Sequence, residues 1–276
     1  MSFDQKRTWG PTPSYPTVLA AKECANYCNA NGPLVLAGPC SVETWSPEQM
    51  LSIAKALNEG GATYARGGVY RAGTYPRQDG VFGLQHELVG RWSQACRDQG
   101  LRVILEVLDV RQVAELAPWC DAFQVGARHM QDYALLKELA TYDRVVTLKR
   151  NPGSTMDEFL GAAEYLARGR CTPILIERGS ATHMNHVRWD LSISLIAAVK
   201  RMTGLPILVD ASHGTGRRDL VEDMTLAGAA AGADGFLVEV HPDPERSLSD
   251  ADQALPLDEL KPLIFQAKAV QVVVRG

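Results

Sequence analysis

Short apolar runs alternate with longer amphipathic stretches along most of the chain. The runs are rich in Val, Ile and Leu, which is typical of parallel strands that are buried on both faces. They predict eight strands, over Leu34–Ala37, Thr63–Ala65, Val103–Val107, Ala122–Val125, Val145–Lys149, Ile174–Glu177, Ile207–Asp210 and Phe236–Val240.

Each run is followed by a segment with apolar residues at helical spacing, or by a loop that leads to one. A repeat of strand and helix eight times predicts an α/β fold, the (β/α)8 or TIM barrel, which commonly uses about 250 residues. The chain has 276 residues, so one barrel accounts for nearly all of it. The predicted helices are Ser46–Glu59, His86–Gln99, Val110–Ala117, Met130–Leu139, Thr155–Arg168, Leu191–Arg201, Asp219–Ala231 and Leu257–Val270.

The residues before the first strand form a different kind of segment. Residues 1–16 are polar and proline-containing, which predicts an extended arm, and Thr17–Asn31 predicts a short helix that ends near Gly32. We therefore expect an N-terminal arm and helix over 1–32 and a barrel over 33–276. No break in composition indicates a second domain.

The composition limits the classes of partner. The chain is 46% hydrophobic and 22% charged, which excludes intrinsic disorder. Its net charge of −4 gives no basic surplus, so neither nucleic acid nor a membrane is an expected partner. No secretory signal or membrane-spanning run is visible, and the six scattered cysteines form no disulfide framework. These features predict a reduced, cytoplasmic protein.

Polar residues follow the predicted strands at the edge where this type of barrel holds its chemistry. Arg66, Arg128 and Arg178 follow three different predicted strands, and Lys149 is the last residue of a fourth. A single arginine there is more often a structural ion-pair partner, but four cations at one rim favour a ligand that carries a phosphate and a carboxylate.

A second group of strand-end residues has the donors of a transition-metal site. Cys40 follows the first strand, His213 follows the seventh, and Glu239 lies near the end of the eighth. Sulfur, imidazole and carboxylate together suit a divalent transition metal, and Asp250 in the next loop can supply a fourth ligand. The structural alternatives are a small buried cysteine and a histidine that caps the helix predicted to begin near Asp219.

Eight motifs occur in order along the chain: GPCSVE at 38–43, RGG at 66–68, EVLD at 106–109, QVGARHMQD at 124–132, TLKR at 147–150, ERG at 177–179, DASHGTGRRDL at 210–220 and GADGFLVEVHPDPERSLSD at 232–250. Their sequences and their order resemble a known family, the type I-beta 3-deoxy-7-phosphoheptulonate (DAHP) synthases and, more distantly, the 3-deoxy-octulosonate-8-phosphate synthases. The resemblance covers about residues 33–265.

The resemblance implies an enzyme that joins C3 of phosphoenolpyruvate (PEP) to an aldehyde, while water attacks C2 and phosphate leaves by C–O cleavage. It implies a divalent metal, with manganese favoured and iron, cobalt or zinc as alternatives, and a homo-oligomer such as a dimer or tetramer. The residues that match the metal ligands are Cys40, His213, Glu239 and Asp250. Those that match the PEP contacts are Arg128, Lys149 and Arg178. The predicted catalytic residues are Lys149, for proton transfer, with Cys40 and His213.

One segment departs from the family pattern. The synthases carry a GGAFKPRTSP-like loop after the second strand, and this chain has GGVYRAGTYP at 67–76. The family Lys falls on Arg71, the Arg on Gly73 and the Ser on Tyr75, so a cation is lost where the phosphorylated aldose binds. The remaining predicted substrate-binding residues are Arg66, Arg71, Thr74 and Arg217. The departure has two readings: a changed acceptor, or sequence drift in which Arg77, Arg217 or Arg218 replaces the missing cation.

Three functions follow from this pattern. The first is DAHP synthesis from PEP and erythrose 4-phosphate, and the second is a PEP-dependent aldolase of a specialised pathway with another aldehyde. The third is a catalytically weak barrel that binds sugar phosphates or acts in an assembly. The complete metal-ligand set argues against the third, because a binding module has no need of it.

Overall fold

Eight parallel strands form a closed barrel in the computed structural model, which describes residues 17–18, 32–70 and 86–275. Each strand pairs with the next in chain order, and the first closes on the eighth. The predicted (β/α)8 barrel is therefore confirmed. The strands are β1 (Leu34–Gly38), β2 (Tyr64–Gly67), β3 (Arg102–Val107), β4 (Ala122–Val125), β5 (Val145–Lys149), β6 (Thr172–Glu177), β7 (Ile207–Asp210) and β8 (Gly235–His241).

Helices cover the outside of the barrel. A two-residue strand, β9 (Leu255–Pro256), pairs with the end of β8. In the described ranges, no helix is both long and apolar enough to cross a bilayer. The helices are α1 (Pro47–Glu59), α2 (His86–Asp98), α3 (Val110–Leu116), α4 (Tyr133–Leu139), α5 (Met156–Ala167), α6 (Ile193–Met202), α7 (Ala211–Thr215), α8 (Val221–Ala230) and α9 (Leu260–Arg275).

Local sequence signals explain where several helices begin. Ser46 and Thr155 precede α1 and α5 and form capping boxes with Gln49 and Glu158, so backbone N–H groups at each helix start are satisfied. Asp109 caps α3 in a similar way, because its side chain accepts a hydrogen bond from the Arg111 N–H. These caps fix the points at which the chain leaves the upper rim of the barrel.

The barrel interior changes from apolar to polar along the strand direction. Because side chains alternate between the two faces of a strand, every second residue points inward. At the lower end the inward residues form a buried apolar cluster that includes Leu36, Ile104, Ile174, Leu208 and Leu237. One or two inward positions further along the strands stand Arg66, Glu106, Gln124, Thr147, Lys149, Asp210 and Glu239.

The second strand differs from its predicted position. It runs over Tyr64–Gly67 rather than Thr63–Ala65, so Arg66 is part of the strand and does not follow it. Thr63 instead bonds the preceding strand, because its hydroxyl donates to the Val35 carbonyl at 2.9 Å. This register places Arg66 inside the barrel.

Three further predictions concern His213 as a helix cap, the N-terminal helix, and two residues of the loop after β2. His213 does not cap the helix predicted at Asp219: it lies in the separate short helix α7, and α8 begins at Val221 after a 3-10 turn. Of the predicted helix Thr17–Asn31, only residues 17–18 are described, and both are helical. Arg71 and Thr74 lie outside the described residues.

Candidate functional site

Four side chains with metal-binding atoms meet at the C-terminal end of the barrel. Cys40, His213, Glu239 and Asp250 each offer one ligand atom, and these atoms all lie within 4.8 Å of one another. The Cys40 Sγ is 3.0 Å from Asp250 Oδ2 and 4.0 Å from His213 Nε2, and that nitrogen is 3.4 Å from Glu239 Oε2. The structure therefore brings together all four predicted ligands.

A second set of residues orients three of these four, namely His213, Glu239 and Asp250. Asp210, at the end of β7, lies 3.0 Å from His213 Nδ1 and also accepts the His213 backbone N–H, so Nε2 is left to face the other ligands. Gln253 donates to Glu239 Oε2 at 2.7 Å, and Arg188 donates to Asp250 Oδ1 at 3.1 Å.

The electrostatics of the cluster fit a bound cation. Burial, followed by the nearby charge of Glu239, raises the pKa of the Cys40 thiol well above its ordinary value. Burial also raises the pKa of Glu239 to about 8 and lowers the pKa of His213 to about 4. Glu239 Oε1 is buried without a hydrogen-bond partner. A divalent ion among these S, N and O donors would compensate the buried negative charge and satisfy that oxygen.

A cavity of about 660 Å³ opens beside the ligand cluster and contains three of the predicted anion-binding residues. Arg128, Lys149 and Arg178 line it together with Cys40, His213 and Asp250. Three of the four strand-end cations therefore share one cavity with three of the four candidate metal ligands.

Two of these cations are held in place by buried partners. The Lys149 Nζ lies 3.0 Å from Asp210 Oδ2. Arg178 donates to the His213 carbonyl at 3.3 Å and lies 5.6 Å from the Trp189 ring, and its Nε has no hydrogen-bond partner. Burial lowers the pKa of Arg178 from its ordinary value, and an incoming anion would satisfy the unpaired donor.

Arg66 occupies a different position from the other cations. It is buried inside the barrel, does not line the cavity, and its Nη1 lies 3.8 Å from Glu239 Oε2. Burial acts to lower the pKa of Arg66, but the negative charges of Cys40, Glu239, Asp210 and Glu106 raise it overall. Arg66 is thus a buried countercharge beneath the metal-ligand cluster.

Arg217 is not brought to the cavity. Its Nε lies 3.0 Å from Asp219 Oδ1, its Nη1 donates to the His186 carbonyl, and 46% of its side chain is exposed. It lines a separate charged depression with Arg218 and Glu245. The sequence shows two adjacent arginines at 217–218, but it does not show whether either side chain points toward the cavity.

Sequence reasoning missed the residues that support the site. Asp210 was visible in the DASH segment, where Asp at i and His at i+3 is a usable signal for one turn of helix. Arg188 and Gln253 lie on loops distant in sequence from their partners, and no local pattern marks them. Trp189, which lines the cavity, was not identified either.

Comparisons with known proteins agree with this geometry. A model of the DAHP synthetase I family matches residues 21–274. A phospho-2-dehydro-3-deoxyheptonate aldolase from Thermotoga maritima is 39% identical over 235 residues, which are 85% of this chain and 68% of the relative. A 2-dehydro-3-deoxyphosphooctonate aldolase from Syntrophotalea carbinolica is 31% identical over 267 residues, covering 89% of this chain and 94% of the relative.

Solved structures give the same result. The crystal structure of the Thermotoga maritima phospho-2-dehydro-3-deoxyheptonate aldolase (DAHP synthase) has a TM-score of 0.81 and 38% identity, over 88% of this chain and 71% of that one. A truncated form of the 3-deoxy-D-arabino-heptulosonate 7-phosphate synthase from Thermotoga maritima has a TM-score of 0.78 and 36% identity, over 88% of each chain. The resemblance found in the sequence is confirmed, and the chain belongs to the DAHP synthetase I family.

Proposed function

We propose that this protein catalyses the aldol-type condensation of PEP with an aldose phosphate. With erythrose 4-phosphate the balanced reaction is PEP plus erythrose 4-phosphate plus water, giving DAHP and phosphate. The observation that carries the proposal is one cavity lined by Cys40, His213 and Asp250 of the four-residue ligand cluster and by the three cations Arg128, Lys149 and Arg178. Family membership supports the same reaction.

The three cations are proposed to bind the anionic groups of PEP in different ways. Arg178 and Arg128 present planar guanidinium forks that match a phosphate or a carboxylate, and Lys149 adds a point charge. Because Arg178 is buried against Trp189 and the His213 carbonyl, its fork is fixed before substrate arrives. Bound PEP is thereby oriented with its reacting carbons toward the ligand cluster.

Lys149 is the residue proposed to move a proton. Asp210 holds the ammonium group at 3.0 Å and compensates its charge in a buried setting. A lysine held this way can donate a proton or a hydrogen bond to oxygen as charge develops on the substrate, and the Asp210 carboxylate then stabilises the change.

Cys40, His213, Glu239 and Asp250 are the residues that would hold a divalent metal, proposed to be manganese, with iron, cobalt and zinc accepted by the same donors. When bound, the ion supplies Lewis-acid polarisation of a carbonyl oxygen. Asp210, Gln253 and Arg188 keep the ligand atoms oriented. The protein is also proposed to be cytoplasmic and to form a homo-oligomer. Light scattering tests the oligomeric state.

A second candidate function is the same PEP chemistry with a different aldehyde. The observation that favours it is the departure at Arg71, Gly73 and Tyr75, where a family cation is missing. A phosphate without that partner loses part of its binding, so the acceptor preference is expected to change.

One assay separates the candidates. Purified protein, manganese and PEP are mixed with erythrose 4-phosphate or with a panel of other aldehydes, and PEP consumption and phosphate release are both followed. Turnover with erythrose 4-phosphate at rates typical of enzymes supports DAHP synthesis, and preference for another aldehyde supports the second candidate. Absence of turnover with every aldehyde would contradict both and favour a binding or assembly role.

A variant test addresses the loop directly. Arg71→Lys combined with Gly73→Arg restores the family residues and should raise the use of erythrose 4-phosphate. Exposed Arg111, whose side chain is 89% exposed, offers a matched control as Arg111→Lys. A double variant that only loses activity would show that the loop is not the cause of any changed preference.

A further inference from the structure

Two loops run side by side at the rim of the site. One follows β1 and contains Cys40, and the other follows β8 and contains Asp250. They are joined by three contacts in antiparallel order, from Cys40 Sγ to Asp250 Oδ2 (3.0 Å), from Ser41 Oγ to Ser249 Oγ (3.0 Å), and from the Leu248 N–H to Glu43 Oε1 (2.8 Å).

The β8 loop needs such support. Asp250 has a φ of 55°, and it is the one non-glycine residue in the described ranges with a positive φ. A left-handed aspartate costs conformational energy unless its surroundings hold it. Leu248 is 50% exposed, so apolar packing supplies little of that support.

Glu43 is placed to support the β8 loop. Its side chain is only 12% exposed, and one oxygen, Oε1, both accepts the Leu248 N–H and lies 3.5 Å from His241 Nε2. His241 is the last residue of β8 and packs against Trp45 at a ring distance of 5.6 Å. Glu43 therefore connects the β8 loop to the rigid end of the strand that carries Glu239.

We infer that Glu43 is a positioning residue that holds Asp250 in its ligand geometry, without itself contacting metal or substrate. The inference rests on the proposed metal-dependent function. Glu43 is the last residue of the GPCSVE segment, and its proposed role is to position a ligand, whereas Cys40 in the same segment is a ligand itself. The contact with the Leu248 N–H carries the effect, so an uncharged side chain that keeps an oxygen acceptor should largely preserve it.

Metal binding measured without substrate tests this inference. Titration of the protein with Co²⁺, followed by calorimetry and by the visible and thiolate absorption bands, reports both affinity and ligand geometry. We expect Glu43→Ala to weaken Co²⁺ binding by about 10- to 100-fold, as for other residues that orient metal ligands. Glu43→Gln, which keeps the oxygen, should stay within about threefold of the unmodified protein.

Glu48→Ala is the matched control, because this exposed glutamate bonds Ser46 and has no contact with the β8 loop. Glu43→Asp is a milder change at the same position, because it keeps the charge but draws the carboxylate back from the Leu248 N–H, and it should weaken Co²⁺ binding by about three- to tenfold. If Glu43→Ala does not fold, Glu43→Asp provides the test.

Unchanged Co²⁺ affinity and spectrum in folded Glu43→Ala, or in Glu43→Asp, would overturn the positioning role. Failure of the unmodified protein to bind Co²⁺ would instead contradict the proposed function. The two failures are therefore distinguishable.

Discussion

Asp210 Oδ1 lies 3.0 Å from His213 Nδ1, while the other oxygen of the same carboxylate lies 3.0 Å from Lys149 Nζ. One buried carboxylate thus orients a candidate metal ligand and compensates the candidate proton donor. Burial acts to raise the pKa of Asp210, but the charges of His213 and Lys149 outweigh it, and the pKa lies below its ordinary value. The group is therefore held as a carboxylate.

The first prediction is that Asp210→Asn lowers both metal affinity and turnover by about 10- to 100-fold, because the amide no longer compensates Lys149 or fixes the His213 ring. Calorimetric titration and steady-state rates measure the two effects. The matched control is Asp234→Asn, which removes a buried carboxylate that pairs with Lys200 at 2.7 Å at the opposite end of the barrel. Equal loss of metal affinity in both variants would contradict a local role for Asp210.

The second prediction concerns the buried ion pair between Arg150 and Glu177, whose atoms approach to 2.5 Å. Glu177 also accepts the backbone N–H groups of Gly179 and Ser192. Glu177→Ala should lower the free energy of unfolding by about 3–5 kcal/mol, because it leaves Arg150 buried and unpaired. Urea denaturation measures this.

Exposed Glu59 provides the control for that experiment, because it forms an i,i+4 pair with Lys55 at 3.8 Å. Glu59→Ala should cost less than about 0.5 kcal/mol. A similar cost at both positions would show that the buried network around Glu177 is unimportant for stability.

The third prediction uses two glycines with opposite surroundings. Gly38 has a φ of 147°, and a Cβ there would lie 2.3 Å from the Arg66 carbonyl oxygen in the neighbouring strand. Gly38→Ala should therefore destabilise the protein by about 3 kcal/mol through strain and overpacking. Gly161 lies in α5 with nothing within 4 Å of such a Cβ, so Gly161→Ala should stabilise by about 0.5–1 kcal/mol. Thermal unfolding of both variants checks the opposite signs.

The fourth prediction is a pH dependence at Glu164, whose carboxylate accepts the backbone N–H groups of Thr17 and Val18. Burial acts to raise the pKa of Glu164, but these hydrogen bonds and Arg168 lower it overall. A lowered folded-state pKa stabilises the protein above the unfolded value of about 4.3, and this contribution is lost as pH falls below it.

Glu164→Gln should accordingly be less stable than the unmodified protein at neutral pH, with the difference shrinking as pH falls below about 4. Chemical denaturation at a series of pH values measures the difference. A difference that stays constant from pH 7 to about pH 3 would contradict the lowered pKa.

The fifth prediction is that a divalent metal stabilises the folded protein. Mn²⁺ or Co²⁺ at about 100 times its dissociation constant should add about 2.7 kcal/mol to the free energy of unfolding, and a chelator should reverse it. Cys40→Ala should remove most of this response. Cys171→Ala, which changes a buried cysteine outside the site, should retain it; loss of the response in both would contradict Cys40 as a ligand.

The strands and the four candidate ligands were predictable because their signals are local. A Val/Ile/Leu run fixes the strand, and parallel order puts the residues after each run on one rim, so Cys40 and His213 could be placed without a structure. The same reasoning could not predict on which side of the cavity wall the side chains of Arg66 and Arg217 lie. The strand β2 continues two residues past its predicted end, so Arg66, two positions after inward-facing Tyr64, points into the barrel, and Asp219 holds Arg217 outside the cavity.

The residues that support the ligands were harder to predict for a different reason. Arg188 and Gln253 bond Asp250 and Glu239 from loops whose position depends on the whole fold. No periodicity or motif spacing records such a contact. The contacts of Asp210 were predictable only in part. Its contact with His213 joins residues three positions apart, but its pairing with Lys149 joins β7 to β5.

Closure of β1 on β8 has a consequence for how the protein is made. Cys40 and Asp250 are 210 positions apart in the chain, and five register pairs between β1 and β8 bring their loops together. During synthesis the thiol of Cys40 emerges long before its partners, and the ligand set is complete only after the final strand has docked. Contacts of such long sequence separation form late and slowly. Metal capture at the proposed site would therefore report that the barrel has finished folding.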